Sequence, residues 1–176
     1  PSPQVAISAW INPTALDSGG SEVVSMGDSY ALRVKTDGNI VFFYFDGTTW
    51  RLVTTTGVDV RVGEWHHIVG QKTSSALQIY VDGVLRGSLN NTGTITYNKG
   101  PDFFIGKHGN GDVRYDFIGS IDDVRIYNRA LNAQEVALLF NPEHELGNGL
   151  GGNIDQVKWL RDMNLLKAKP MNFIMH

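Results

Sequence analysis

The most regular alternation of apolar and polar positions runs over residues 63–88, GEWHHIVGQKTSSALQIYVDGVLRGS. Trp65 to Gln71 is dense in aromatic and β-branched residues, and Leu77, Ile79 and Val81 then alternate with Gln78, Tyr80 and Asp82. A period of two turns one row toward a core and the other toward solvent or a second layer. The polar run Lys72-Thr73-Ser74-Ser75 joins the first strand to the second. Asp82-Gly83 closes a tight turn into Val84–Ser88, because both residues tolerate the positive φ of a primed hairpin turn. Three consecutive antiparallel strands are predicted.

The same pattern extends in both directions. Val5–Ile11 reads as a buried strand ended by Asn12-Pro13. Short strands are predicted over Glu22–Met26, Tyr30–Thr36, Asn39–Phe45 and Trp50–Thr55, with Asp37-Gly38 and Asp46-Gly47 as hairpin turns. The β pattern continues over Asn90–Tyr97, returns at Phe103–Gly106, and closes with Phe117–Tyr127. One helix is predicted after it: Asn132 caps its start, Glu135 completes a capping box, and Val136, Leu139 and Phe140 form its apolar face. Asn141-Pro142 ends it. The chain therefore divides into a β domain over residues 1–142, a linker over 143–152 (EHELGNGLGG) and a C-terminal tail over 153–176. The tail carries Ile154, Val157, Trp159 and Leu160, more apolar residues than a solvated coil accommodates. Either a helix or a strand fits it, and residues 152–159 echo residues 119–126.

Two segments carry a resemblance. Gly63-Glu64-Trp65-His66-His67-Ile68 with Leu77–Gly83, and Phe117–Leu131 (FIGSIDDVRIYNRAL), resemble the central and closing signatures of laminin-G-like, concanavalin A-like domains. The resemblance spans about residues 5 to 140 and implies an all-β fold: a two-sheet antiparallel jelly-roll sandwich with one short helix and a C-terminal tail. It also implies a strand before Val5 that this sequence lacks, leaving a free sheet edge beside the closing strand for the tail or a neighbouring subunit to cover. Trp10 and Trp65 are expected in the core.

Composition narrows the function. A net charge of −3 with interspersed signs offers no footprint for nucleic acid. The absence of cysteine excludes disulfides and thiolate metal sites. No apolar run approaches membrane-spanning length, so no membrane insertion is expected. Glycosidases of this fold carry carboxylates a few residues apart on one strand, and nothing here matches, because Glu22, Glu64 and Glu135 stand alone. Nucleophile-elbow and zinc-protease motifs are also absent. The expectation is no enzyme.

Three kinds of site are then weighed. His66 and His67 point to opposite faces of one strand, so they do not share a metal ion easily. The resemblance implies a possible calcium cofactor at Asp122, with Gly27 and Asp28 as natural partners; otherwise Asp122 and Asp123 accept loop amides or pair with Arg125. Glycan binding calls for aromatic faces in an open groove with polar neighbours. Phe42 and Tyr44 share one face of their strand, and Val41, Phe43 and Phe45 the other. One set must be core. Tyr44, Trp50, His66 and Tyr80 are the candidates for a binding sheet, with His108, Asn110, Asp112 and Tyr115 at its rim. The preferred expectation is a non-catalytic recognition domain for a glycan, on a secreted, cell-surface or virion-exterior protein. Its alternatives are an assembly or adhesion subunit that binds protein partners or further copies of itself through sheet edge and tail, and a glycoside hydrolase remnant.

Overall fold

The computed structural model describes residues 3–57 and 59–141. They form two five-stranded antiparallel sheets stacked as a jelly-roll sandwich. One sheet runs β10 (Ile118–Tyr127), β1 (Val5–Ala15), β6 (His66–Lys72), β7 (Ala76–Val81), β8 (Val84–Asn90). The other runs β5 (Trp50–Thr54), β4 (Ile40–Phe45), β3 (Tyr30–Val34), β2 (Ser21–Met26), β9 (Phe103–Ile105). A 3₁₀ turn (Val113–Tyr115) and the helix α1 (Ala133–Phe140) complete the described residues.

The meander forms as the alternation requires. Asp82 and Gly83 take φ of 49° and 77°, the left-handed pair of a primed turn. Leu77, Ile79 and Val81 enter the core with Ile7, Ala9, Ile11 and Ile68 from the same sheet, and meet Leu32, Val34, Ile40, Phe42 and Tyr44 from the other. Gly70 lets the sheets approach: a Cβ there would stand 2.7 Å from Leu32 and 2.9 Å from Phe42.

The row opposite Leu77 and Ile79 meets a second layer rather than solvent. Asn132 accepts the Glu135 amide while Glu135 accepts the Asn132 amide, so α1 starts with the predicted capping box. Val136 and Leu139 then pack with Leu131 over Ala6, Val69 and Tyr80 on the outer face of the first sheet. That sheet is the helix-side sheet; among the described residues, the outer face of the other carries no helix.

Four expectations are corrected. β1 runs on through Pro13, which pairs only with Gly119 of β10; the ladder with β6 has already ended at Ile11, so the missing N–H costs nothing there. Residues 91–97 are irregular, and their β-like pattern reflects burial of Ile95 in the core and one bond from the Thr96 amide to the Phe45 carbonyl. Trp65 is 48% exposed, in the bend before β6. Trp10 is half-buried on the outer face, between His67 (ring centroids 5.4 Å apart) and Phe140 (5.8 Å). The linker over 143–152 and the tail over 153–176 lie outside the described residues. Within those, β10 and β8 edge one sheet and β5 and β9 the other.

Candidate functional site

The outer face of the open sheet is built by simple alternation. Ile40, Phe42 and Tyr44 of β4 point inward, so Val41, Phe43 and Phe45 point outward, beside Trp50 and Leu52 of β5 and Arg33 of β3. Trp50 is 41% exposed and meets Phe45 at 5.3 Å and Phe43 at 5.5 Å between ring centroids. The Lys99 ammonium sits 4.4 Å from the Phe45 centroid. Next along the face, the Arg33 guanidinium lies 5.0 Å from the Phe43 ring and 4.1 Å from the Tyr115 ring. Tyr115 in turn stacks on His108 at 4.8 Å, and His108 reaches Asp28 at 3.4 Å. The result is one continuous run of rings and a planar cation from Trp50 to His108.

The rim is braced from within. The Asp112 amide donates to the Asn110 side chain, the Asn110 amide to His108 Nδ1, and the Gly111 amide to the His108 carbonyl. Asp112 caps the 3₁₀ turn that presents Tyr115, and its hydrogen bonds with Arg114 hold its carboxyl down at about 2. Gly109 packs against Gly27: a Cβ on Gly109 would stand 2.2 Å from the Gly27 carbonyl oxygen, so no larger residue lets this loop dock.

Beneath Arg33 lies Glu22. Its carboxylate is ion-paired with Arg33 Nε and fully buried, and its Oε1 has no hydrogen-bond partner. Burial pushes its pKa up to about 7, with Asp28 adding and Arg33 opposing.

The sequence-derived candidates therefore separate. Trp50, His108 and Tyr115 come together on this face, with Asn110 and Asp112 bracing its rim. Tyr44 does not: it is fully buried, and its hydroxyl donates to Asn91 at 2.6 Å. Tyr80 does not either, being 6% exposed beneath α1. Phe43, Phe45, Leu52 and Arg33 take their places. Alternation around Leu32 and Val34 put Arg33 on the outer row, but only the register of β2 against β3 reveals Glu22 as its anchor.

His66 lies in a separate cleft of about 410 Å³, with Asp59, Arg61, Glu64, Asp82, Val84 and Arg86 among its walls. The Arg61 amide donates to His66 Nε2 at 3.2 Å, so the proton sits on Nδ1 and is given to Asp82 at 2.9 Å. His67 faces the other way, bonded to Ser8 at 2.9 Å, and burial lowers its pKa to about 4.

The calcium candidates do not converge. Asp122 pairs with Trp10 across β1 and β10 and so shares the outer face of the helix-side sheet, where it accepts the Asp123 amide; Asp123 pairs with Arg125. Gly27 and Asp28 belong to the turn between β2 and β3, in the open sheet. Among the described residues, no group of three or more His, Cys, Asp or Glu stands where it could hold a metal ion.

Comparison with known proteins bears on this geometry. The family model for the concanavalin A-like lectin/glucanases superfamily matches residues 1–137. No curated protein sequence matches the chain. Among solved structures, the CBM40 of the Ruminococcus gnavus IT-sialidase, bound to α2,3-sialyllactose, superposes with a TM-score of 0.69 at 16% identity, over 80% of this chain and 84% of that one. Domain 4 of AbnA, an extracellular GH43 arabinanase from Geobacillus stearothermophilus in complex with arabinotriose, gives 0.62 at 22% identity, over 80% and 68%. Domains LG4-5 of the mouse laminin α1 chain give 0.58 at 17%, over 74% and 38%. At these identities the likeness is one of fold.

Proposed function

We propose that this chain, which belongs to the concanavalin A-like lectin/glucanases superfamily, is a non-catalytic carbohydrate-binding domain that takes its glycan on the outer face of the open sheet. The observation that carries the reading is the run of ring faces from Trp50 through Phe43 and Arg33 to Tyr115. Sugar rings present C–H faces that pack on aromatic planes and hydroxyls that need donors and acceptors at the edge. The face supplies the planes, and Arg33, Lys99, His108 and Asn110 supply the edges. Glycan-bound domains of the same fold support it. A setting outside the cell, or on the surface of a cell or particle, goes with this reading, and no helix among the described residues is long and apolar enough to cross a membrane.

Retention on immobilised glycans tests it. Trp50→Ala and Tyr115→Ala should each abolish retention that the unaltered chain shows, while melting stays within a few degrees. Retention unchanged in both variants would overturn the assignment of this face.

A second reading, contact with a protein neighbour along a sheet edge, has one observation in its favour. Val84, Leu85 and Leu89 are all exposed on β8, which has one strand neighbour among the described residues. Charged substitution at Leu85 and Leu89 should then change the oligomeric state in sedimentation, and leave glycan retention alone.

A further inference from the structure

We propose that Arg33 is the anion-recognising residue of this face, and that the preferred glycan carries a carboxylate, as a uronic or a nonulosonic acid does. This deepens the carbohydrate-binding reading and rests on it. The guanidinium is fixed on three sides. Glu22 accepts a hydrogen bond from Nε, the Phe43 ring lies 5.0 Å from the guanidinium carbon, and the Tyr115 ring lies 4.1 Å from it. An arginine held this way has already given up its rotamer freedom, so a ligand gains its hydrogen bonds without ordering the side chain again. The pairing with Glu22 runs through Nε, and the side chain keeps 16% of its surface open to solvent. Two parallel N–H groups in one plane match the two oxygens of a carboxylate.

Glu22 gives the arrangement its logic. A buried carboxylate with one oxygen unpartnered is costly to keep. What the buried position achieves is to hold Arg33 by its inner nitrogen, so that the outer fork can turn toward a ligand. The charged and titratable groups around the pair are Asp28 in the turn between β2 and β3, His108 in the rim loop, and Tyr115 with the Arg114–Asp112 ion pair at the 3₁₀ turn.

The experiment is a calorimetric titration of the full chain with four probes: a glucuronate-terminated oligosaccharide, a nonulosonate-capped lactose, and the methyl ester of each. The esters keep ring shape and hydroxyls and remove the charge. At least one free acid should bind on the order of tenfold or more tighter than its ester, the scale of a hydrogen-bonded charge pair, and which acid does so distinguishes the two sources of carboxylate. Arg33→Gln should bring the acid down to its ester. Arg33→Lys keeps a partner for Glu22 and so guards against misfolding, and it should fail to restore the preference, because an ammonium lacks the fork. Acid and ester binding equally well would overturn this inference and leave the glycan reading standing. A preference intact in Arg33→Gln would move the anion site elsewhere. Binding of no probe would remove this inference, and retention on neutral glycans would then decide the parent reading separately.

Discussion

The two outer faces of the sandwich start from the same kind of sequence and end in opposite surroundings. Each is the second row of an alternating β pattern, and each carries aromatic residues. On the helix-side sheet, Val69 and Tyr80 are covered by α1, and Trp10 and His67 by Phe140 at its end. On the open sheet, among the described residues, Phe43, Phe45 and Trp50 meet each other, Arg33 and Lys99. What leaves an aromatic row open is therefore not its composition but whether a later element reaches it. Here a helix of eight residues, starting about 50 positions after Tyr80, decides the matter.

The sharpest break in this comparison is the cost of removing an aromatic side chain. Tyr80→Ala on the covered face and Tyr44→Ala in the core should each destabilise the domain by roughly 3–5 kcal/mol, the range for large-to-small changes at buried aromatic sites. Trp50→Ala should cost about 1 kcal/mol or less, within the range of exposed substitutions. Urea unfolding of the three variants checks this. A Trp50→Ala cost in the range of Tyr80→Ala would mean the open face is structural.

The faces also titrate in opposite senses. His67 is kept neutral in the fold down to about 4 against an ordinary 6.5, so stability is full above 6.5 and falls as pH drops toward 4. Glu22 keeps its proton up to about 7 against an ordinary 4.5, so its share of stability is present below 4.5 and lost as pH rises through 7. Each displacement is worth about 3 kcal/mol. Between 4.5 and 6.5 the unfolded chain gains the proton at His67 that the fold holds at Glu22, and the two slopes cancel. Glu22→Gln should therefore uncover a stability that rises with pH from 4 to 6.5, and His67→Gln one that falls from 4.5 to 7. Denaturation midpoints measured across that range would show it; a flat profile in both variants would contradict both assignments.

A smaller effect sharpens the role of the helix. Asn132→Ala removes the side-chain half of the capping box and should cost about 1 kcal/mol. If α1 is what shields His67, the same variant should move the His67 titration upward toward 6.5 in NMR spectra. An unmoved titration would assign the shielding to Trp10 alone.

What was legible in the sequence follows the range of the interactions involved. The capping box at Asn132 and Glu135, the turn at Asp82-Gly83 and the inward row Leu77, Ile79, Val81 are local, and a few neighbouring residues specify them. The inward row of β4 is not. Phe42 and Tyr44 compete with Phe43 and Phe45 on equal apolar terms, and the choice is made by the opposite sheet, where Gly70 leaves room for Phe42. Tyr80 reads as a solvent-side aromatic until α1 is placed over it. Alternation makes His66 and His67 face apart, as they do, but the partners that decide their chemistry, Asp82 and Ser8, lie 16 and 59 positions away. Arg33 is the clearest case: a cation between Leu32 and Val34 marks an outward position, while its anchor and its two flanking rings come from β2, β4 and a 3₁₀ turn about 80 residues on.

The smallest effect expected is that of calcium, and it is where the two faces would have to cooperate. Asp122 stands on the outer face of the helix-side sheet, whereas Gly27 and Asp28 stand in a turn of the open sheet. An ion ligated by all three would bridge the sandwich. Two of the three are also engaged elsewhere: Asp122 with the Asp123 amide and Asp28 with His108. Calcium bound only by the folded chain raises stability with the logarithm of its concentration over Kd. On this geometry, melting curves in millimolar calcium and in chelator should coincide, and Asp122→Ala should leave them coincident. A rise in Tm with calcium that Asp122→Ala removes would show instead that the rim loop and the closing strand rearrange to bring these oxygens together.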